Sequence, residues 1–191
     1  MTDIKLLPLV EEDIEMVRLW RNSPEISQYM YTDNYISETD QIRWYQRIKD
    51  DASQKYWIVE YESIKLGLVS LNSISNNFKT CYWTFYLDRR GMIKNLDRNV
   101  IMRANISGKV EYTILKMVFE ELGMNKILCE VMVENKAVIN MHENLGFRRE
   151  AYFREHIIKN NISHDIVTLS MLKQEWDFLK GSFYKKIYES A

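Results

Sequence analysis

Residues 135 to 147 read NKAVINMHENLGF, and within them Val138, Met141, His142 and Leu145 fall at i, i+3, i+4 and i+7. That spacing is one face of a helix, so an ionisable ring sits on an apolar stripe. An imidazole there has two uses. Its ordinary pKa of ~6.5 lets it carry a donatable proton near neutrality; alternatively it is a core histidine whose ring is satisfied by one backbone carbonyl. Arg154 and His156 share a face of the strand-like FREHII by period-two alternation, and His164 precedes Asp165 in the segment that follows. Either pair offers a proton acceptor. Cys81 and Cys129 lie singly in apolar, strand-like stretches, with no CxxC pair and no histidine at metal-ligand spacing. We therefore expect no metal, and two buried thiols in a reducing, cytoplasmic compartment.

The elements that must position these groups are bounded by composition. A chain of 191 residues with 46% hydrophobic and 13% aromatic content is the size of one globular domain with a substantial core. Its 26 basic and 27 acidic residues create no overall field for nucleic acid or an anionic membrane, and neither partner is expected. No apolar run approaches the ~18 residues that suggest a transmembrane helix.

Ile4 to Leu9 reads as a strand, and Glu11 to Asn22 as a helix through Ile14, Val17 and Trp20. Ser23-Pro24 is an N-cap with proline at the first helical position, opening a short helix to about Tyr29. Ser37-x-x-Asp40 has the form of a capping box ahead of a helix to about Lys49. YWIVEYE, LGLVSLN and CYWTFYLD then predict an antiparallel meander, broken at Ser63 to Lys65 and at SISNNFK. Arg89 to Ala104 shows no clear period. A helix from about Gly108 to Leu122 buries Val110, Ile114, Met117 and Val118, and Gly123 ends it. KILCEVMV is a buried strand, the His142 helix follows, and two long strands from about Arg148 to Leu172 turn at Asn160-Asn161.

The order strand, loop, helix, strand, then Asn135-x-Ala137 and the stop Gly146-Phe147, resembles the GNAT superfamily of acyl-CoA-dependent N-acyltransferases, with His142 where a tyrosine is usual. The resemblance implies an α/β (α+β) GNAT fold: a central mixed, mostly antiparallel twisted sheet of about seven strands, flanked by helices and splayed between the fourth and fifth strands. It spans 1–176 as a single domain, leaving 177–191 as a helical C-terminal tail. WRNSPEISQYMYT, SGKVEYTILKMVFEELGMNKILCEV, NKAVINMHENLGF and FREHIIKNNISHDIV further resemble the acetyltransferases of the pseudaminic acid pathway. These acetylate the 4-amino group of a UDP-linked 4-amino-4,6-dideoxy sugar.

The resemblance implies acetyl-CoA as acyl donor. In the family, a glycine-rich loop at a helix N-terminus presents backbone N–H groups to the CoA pyrophosphate. Here its two glycines align with Asn105 and Ser107, followed by Gly108; a one-residue shift would pair Arg103, Ile106 and Gly108 with the motif instead. Asn105, Ile106, Ser107, Gly108 and Lys109 are thus the expected cradle, and Arg98 and Arg103 are further candidates for phosphate contacts or ordinary surface charges. Asparagine tolerates left-handed backbone angles, which would preserve a weakened cradle. Main-chain groups of Tyr86 and Leu87, and Asn135, would hold the pantetheine arm.

By the same resemblance His142 would protonate the departing thiolate in a direct transfer without an acyl-enzyme. Arg21, Asn22, Met30, Tyr31 and Gln41 would contact the acceptor. The arginine fork suits a diphosphate, and tyrosine or methionine packs against a sugar or uracil face. Gln41 stands where the family has histidine. The expected partner is a small-molecule amine, a UDP-amino sugar first, and a homodimer is compatible with the pattern. Two other readings stay open: a transferase for a peptide N-terminus or polyamine, and a non-catalytic acyl-CoA-binding protein.

Overall fold

A computed structural model describes residues 3–32, 34–96 and 105–189. Strand β1 (Lys5–Pro8) leads through a 3-10 turn at Glu11–Asp13 into α1 (Ile14–Asn22), followed by α2 (Pro24–Ser27) and α3 (Glu38–Ile48). The local signals fall where expected, though the Ser23 hydroxyl donates back to the Trp20 carbonyl at 2.7 Å and makes no cap bond to α2. Ser23 is the N-cap of α2 with Pro24 behind it, and Ser37 and Asp40 make the reciprocal capping box that opens α3.

The meander is β2 (Lys55–Tyr61), β3 (Ile64–Ser75) and β4 (Thr80–Leu87). Strand β3 continues through the polar SIS segment: a bulge between Asn72 and Ser75, with Ser73 at φ 50°, lets Ser75 still pair with Thr80. Helix α4 (Arg89–Asn95) forms where no period was legible. Only Met92 of that helix is buried, too little apolar pattern to mark a face.

Helix α5 (Ile106–Lys116) begins two residues earlier than its apolar stripe suggests and ends in a π-helical turn, Met117–Glu121, before Gly123 at φ +62°. Strand β5 (Lys126–Met132), helix α6 (Lys136–Asn144), strands β6 (Arg148–Lys159) and β7 (Ile162–Leu172) and helix α7 (Lys173–Tyr184) complete the order. Asn160 and Asn161, both at positive φ, make the β6–β7 turn. Helix α7 runs across residue 176, and its Trp176 and Phe183 are buried in the same core as β5 and α5.

The seven strands form one sheet in the order β1-β2-β3-β4-β5-β7-β6, antiparallel except where β4 meets β5. This is the GNAT fold the sequence implied. One face of the sheet carries the main core, with Val110, Ile114 and Val118 of α5 fully buried; the other carries a smaller cluster of Val17, Trp20, Ile26, Ile58 and Leu68 beneath α1 and α2. The parallel pair matters most for the site. It spans only Thr80↔Lys126, Cys81↔Ile127 and Tyr82↔Leu128, after which the strands part. Beyond Tyr82 the edge of β4 toward β5 has no ladder partner there, so its backbone donors and acceptors face a gap.

Candidate active site

The gap holds a cavity of about 650 Å³ with walls from both faces of the sheet. Strand alternation explains the division. On β5, Cys129 turns to the main core while Glu130 turns to the N-terminal helices; on β4, Trp83 belongs to the first side and Tyr86 to the second. From the main-core side come His142 and Val138 of α6, with Asn135 at its start; from the other come Arg21, Tyr29, Met30, Tyr31 and Gln41.

His142 is 2% exposed. Its Nδ1 lies 2.6 Å from Oε1 of Glu111, a residue of α5 that is itself 0% exposed. Trp83 and Phe147 pack around the ring with centroids 5.3 Å and 5.2 Å away. Burial, the largest influence, works against the charged imidazolium. The Glu111 carboxylate and Cys129 act the other way, and the balance lifts the pKa to about 10. The Glu111 contact thus favours the protonated ring, buried in the wall of the cavity. Gly146, at φ +84°, ends α6 so that Phe147 can turn back beneath the imidazole.

The opposite wall is a loop held from two sides. Arg18 reaches Tyr35 Oη at 3.0 Å and the Ile36 carbonyl at 3.1 Å, and Asn22 bonds both backbone groups of Ile36 at 2.9 Å. Lys159, from β6, donates to the carbonyls of Ser27 and Met30. Asn22 therefore does not line the cavity; it fixes Ile36, which does. Gln41 lines it too, but its Nε2 donates to the Ile14 carbonyl at 2.9 Å, tying α3 to α1. Tyr31 Oη donates to Glu130 Oε2 at 2.9 Å, and burial followed by that bond raises the phenol pKa.

Arg21 is half-buried beside Tyr86, and its Nη2 makes one long contact, 3.4 Å, to Thr32 Oγ1. Burial lowers its pKa and the Tyr86 phenol partly offsets that. Among the described residues no carboxylate forms an ion pair with Arg21. The Tyr86 hydroxyl is likewise buried without a hydrogen-bond partner among them. An unpaired guanidinium and an unpaired phenol, side by side in a cavity, are a ready contact for an anionic oxygen.

A second cavity, about 360 Å³, opens at the start of α5 and is lined by Leu87, Arg89, Met92, Ile93, Asn105, Ile106 and Ser107. Asn105 is the N-cap, at φ 42° and ψ 50°, and its side chain accepts from the Gly108 N–H. This is the left-handed conformation that the first glycine of the family loop supplies at lower cost. The backbone donors of α5 and the nearby Arg89 suit a pyrophosphate. Lys109 does not line this cavity: its N–H bonds the Asn105 carbonyl at 2.9 Å and its Nζ turns inward over the rings of Tyr61 and Tyr188 at 5.5 Å and 5.3 Å. Gly67 of β3 allows Tyr86 to lie close: a Cβ there would meet the Tyr86 carbonyl oxygen at 2.1 Å. Arg98 and Arg103 fall outside the described residues.

Arg154, His156 and His164 do not line the main cavity. Arg154 and His156 lie exposed on the edge strand β6, and His164 pairs with Glu134 at 3.1 Å. The residues that sequence reasoning missed are Glu111 and Glu130. Both left a signal: Glu111 falls at i with Ile114, Leu115 and Val118 at i+3, i+4 and i+7, and Glu130 is the lone acid inside KILCEVMV. Among the described residues no cluster of histidine, cysteine, aspartate or glutamate could hold a metal ion.

The class follows from where the sheet opens. A gap whose strand edge offers unpaired peptide groups lies between the start of α5, the buried His142 and an opposite wall of polar and aromatic side chains. That is the geometry of an acyl-CoA-dependent N-acyltransferase. The chain belongs to the acetyltransferase (GNAT) domain family, whose model matches residues 3–148. It is an N-acetyltransferase with acetyl-CoA as donor.

Among curated relatives, the acetyltransferase PseH of Campylobacter jejuni subsp. jejuni serotype O:23/36 (strain 81-176) is 25% identical over 139 residues, 73% of this chain and 79% of that protein. The spermidine N(1)-acetyltransferase of Escherichia coli (strain K12) is 21% identical over 173 residues, 91% and 88% of the two chains. The fold is also that of a spermidine N-acetyltransferase from Vibrio cholerae, crystallised with CoA and spermine, with a TM-score of 0.80 at 20% identity over 91% of this chain and 98% of that one.

Proposed function

We propose that this enzyme transfers the acetyl group of acetyl-CoA to the 4-amino group of a UDP-linked 4-amino-4,6-dideoxy sugar. The observation that carries this reading is the composition of the acceptor wall. Arg21 supplies a cation without a carboxylate ion pair among the described residues, beside the unpartnered Tyr86 hydroxyl and within a ring of aromatic side chains that includes Tyr29, Trp44 and Tyr56. A diphosphate takes a guanidinium fork, and aromatic faces take a sugar or a uracil.

A polyamine, the runner-up, favours a row of free carboxylates and no cation. Three acids of the first helical region are committed elsewhere: Glu15 to Arg18, Glu25 to Arg90 and Asp13 to Lys65. Of the two acids on the cavity wall, Asp40 caps α3 and Glu130 holds Tyr31. The relatives named for spermidine keep the polyamine reading in play, and a direct comparison of acceptors decides it.

The chemistry divides across the gap. The acceptor nitrogen attacks the thioester carbonyl carbon, the C–N bond forms, and the C–S bond breaks with its electron pair going to sulfur. Glu130, on the acceptor side, takes the proton the nitrogen sheds; His142, on the donor side, gives one to the thiolate. No acyl-enzyme is needed. The test is CoA release, followed with a thiol reagent, on a panel of UDP-4-amino-4,6-dideoxy sugar, spermidine and a peptide with a free N-terminus. The sugar nucleotide is expected to exceed the others in kcat/KM by ~10²-fold or more, a difference of ~3 kcal/mol in transition-state binding. Spermidine as the best acceptor would replace this reading with the polyamine one.

A further inference from the structure

We propose that Glu111 is a positioning residue for this reaction: its buried carboxylate holds the His142 ring by Nδ1 and leaves Nε2 as the proton donor. The proposal rests on reading His142 as the acid. Its geometry is independent of that reading.

The contact is 2.6 Å, within the range of a charge-assisted hydrogen bond, and both partners lie in the main core face of the sheet. A carboxylate can only accept, so Nδ1 carries a proton in this contact and the ring's remaining chemistry lies at Nε2. The groups facing the ring are few. Helix α5 contributes Glu111, β5 contributes Cys129, and β4 and the segment after α6 contribute the uncharged rings of Trp83 and Phe147. The charged neighbour on its own helix, Glu143, turns to Arg149 at 2.7 Å. Glu111 is thus the one anion set against the imidazole among the described residues.

The same carboxylate is expensive for the fold. Its Oε2 is buried and has no hydrogen-bond partner among the described residues. A core of the same shape without either charge would be as stable or more so, because burying an ion pair seldom returns the full desolvation cost. Only His142 of the pair lines the cavity, with Glu111 buried behind it, the place from which a carboxylate can hold the ring. With Glu111 ionised, the ring stays protonated at neutral pH and Nε2–H is available when the thiolate departs. With Glu111 neutral, burial would be opposed by Cys129 without a carboxylate charge beside the ring, and the pKa would fall. The protons balance: nitrogen loses one on acylation, sulfur gains one from Nε2, and His142 recovers its own from solvent after the products leave.

Four variants of the full chain test this: Glu111→Gln, Glu111→Asp, His142→Tyr and the double E111Q/H142Y, each with kcat, KM, a pH profile and Tm. His142→Phe serves as the control for the acid reading. Glu111→Gln keeps the size and an acceptor but loses the charge. It should lower kcat by ~10²-fold, the lower end for a positioned acid, leave KM for acetyl-CoA unchanged, and move the alkaline limb of kcat from near 10 to below neutrality. Glu111→Asp should keep that limb above neutrality.

A tyrosine donor needs no carboxylate to hold its proton near neutrality, so Glu111→Gln should change kcat by less than ~3-fold in the His142→Tyr background, while an interacting residue in wild type shows the full loss. Equal loss in both backgrounds, a loss that tracks Tm, or an unmoved alkaline limb would overturn the proposal while the acid role of His142 stood. Wild-type turnover in His142→Phe would remove the acid role itself, and the proposal with it.

Discussion

Asn105→Gly tests the donor cradle most directly. Asn105 sits at φ 42° and ψ 50°, and its Oδ1 accepts from the Gly108 N–H at 3.3 Å. The fit is close, since a Cβ on Gly108 would meet Asn105 Nδ2 at 2.7 Å and Oδ1 at 2.8 Å. The side chain therefore occupies a backbone donor that the family loop, with glycine there, leaves to the pyrophosphate. For stability, relief of the left-handed strain is worth ~1 kcal/mol. Loss of the cap costs a few tenths, and the added freedom of the unfolded chain costs ~0.5 to 1 kcal/mol. The sum is close to zero, so Tm should stay within ~3 °C for a chain of this size.

For binding, a freed N–H bonding a charged oxygen is worth ~1.5 to 3 kcal/mol. Setting against that the few tenths of the cap it replaces leaves about 1 kcal/mol or more, at least a roughly fivefold tighter Kd for CoA. Isothermal calorimetry with CoA measures it, and pantetheine, which lacks the pyrophosphate, should show no change. An unaltered or weaker Kd for CoA at unchanged Tm, or an equal gain for pantetheine, would refute the assignment of this helix start as the pyrophosphate site.

Arg21→Ala should raise KM for the UDP-amino sugar by ~10-fold or more, the effect of losing a charge-assisted bond, and leave KM for acetyl-CoA unchanged; equal changes in both would make it a structural residue. Glu130→Gln should lower kcat by ~10²-fold, while Tyr31→Phe, which removes only the hydrogen bond to Glu130, should act mainly on acceptor KM. Thermal stability should also report on His142. Its folded pKa is raised to about 10, so its contribution to stability is complete below the unfolded value of ~6.5 and is lost as pH rises through about 10. Between pH 7 and 10.5 the wild-type Tm should therefore fall more steeply than that of His142→Phe, and parallel curves would contradict the raised pKa.

What the sequence determined by itself is local or periodic. Ser23-Pro24, the Ser37 capping box, the Asn160-Asn161 turn and the Gly123 stop act through bonds spanning a few residues, so their types and spacing suffice. The helix of NKAVINMHENLGF, and its ring on the apolar face, were legible for the same reason. The candidate site was legible one side chain at a time. Tertiary structure decided how the pieces meet. Strands β4 and β5 part after three residue pairs, and both Cys129 and Glu130 then line one cavity. Glu111 looks like a misplaced charge on an α5 stripe until α6 brings His142 against it, 31 positions along the chain. Glu130 finds Tyr31 across 99 positions. Asn22 and Gln41, which composition offers equally to substrate or scaffold, hydrogen-bond the Ile36 and Ile14 backbone, because the packing of α1 against α3 and the following loop brings those peptide groups within reach.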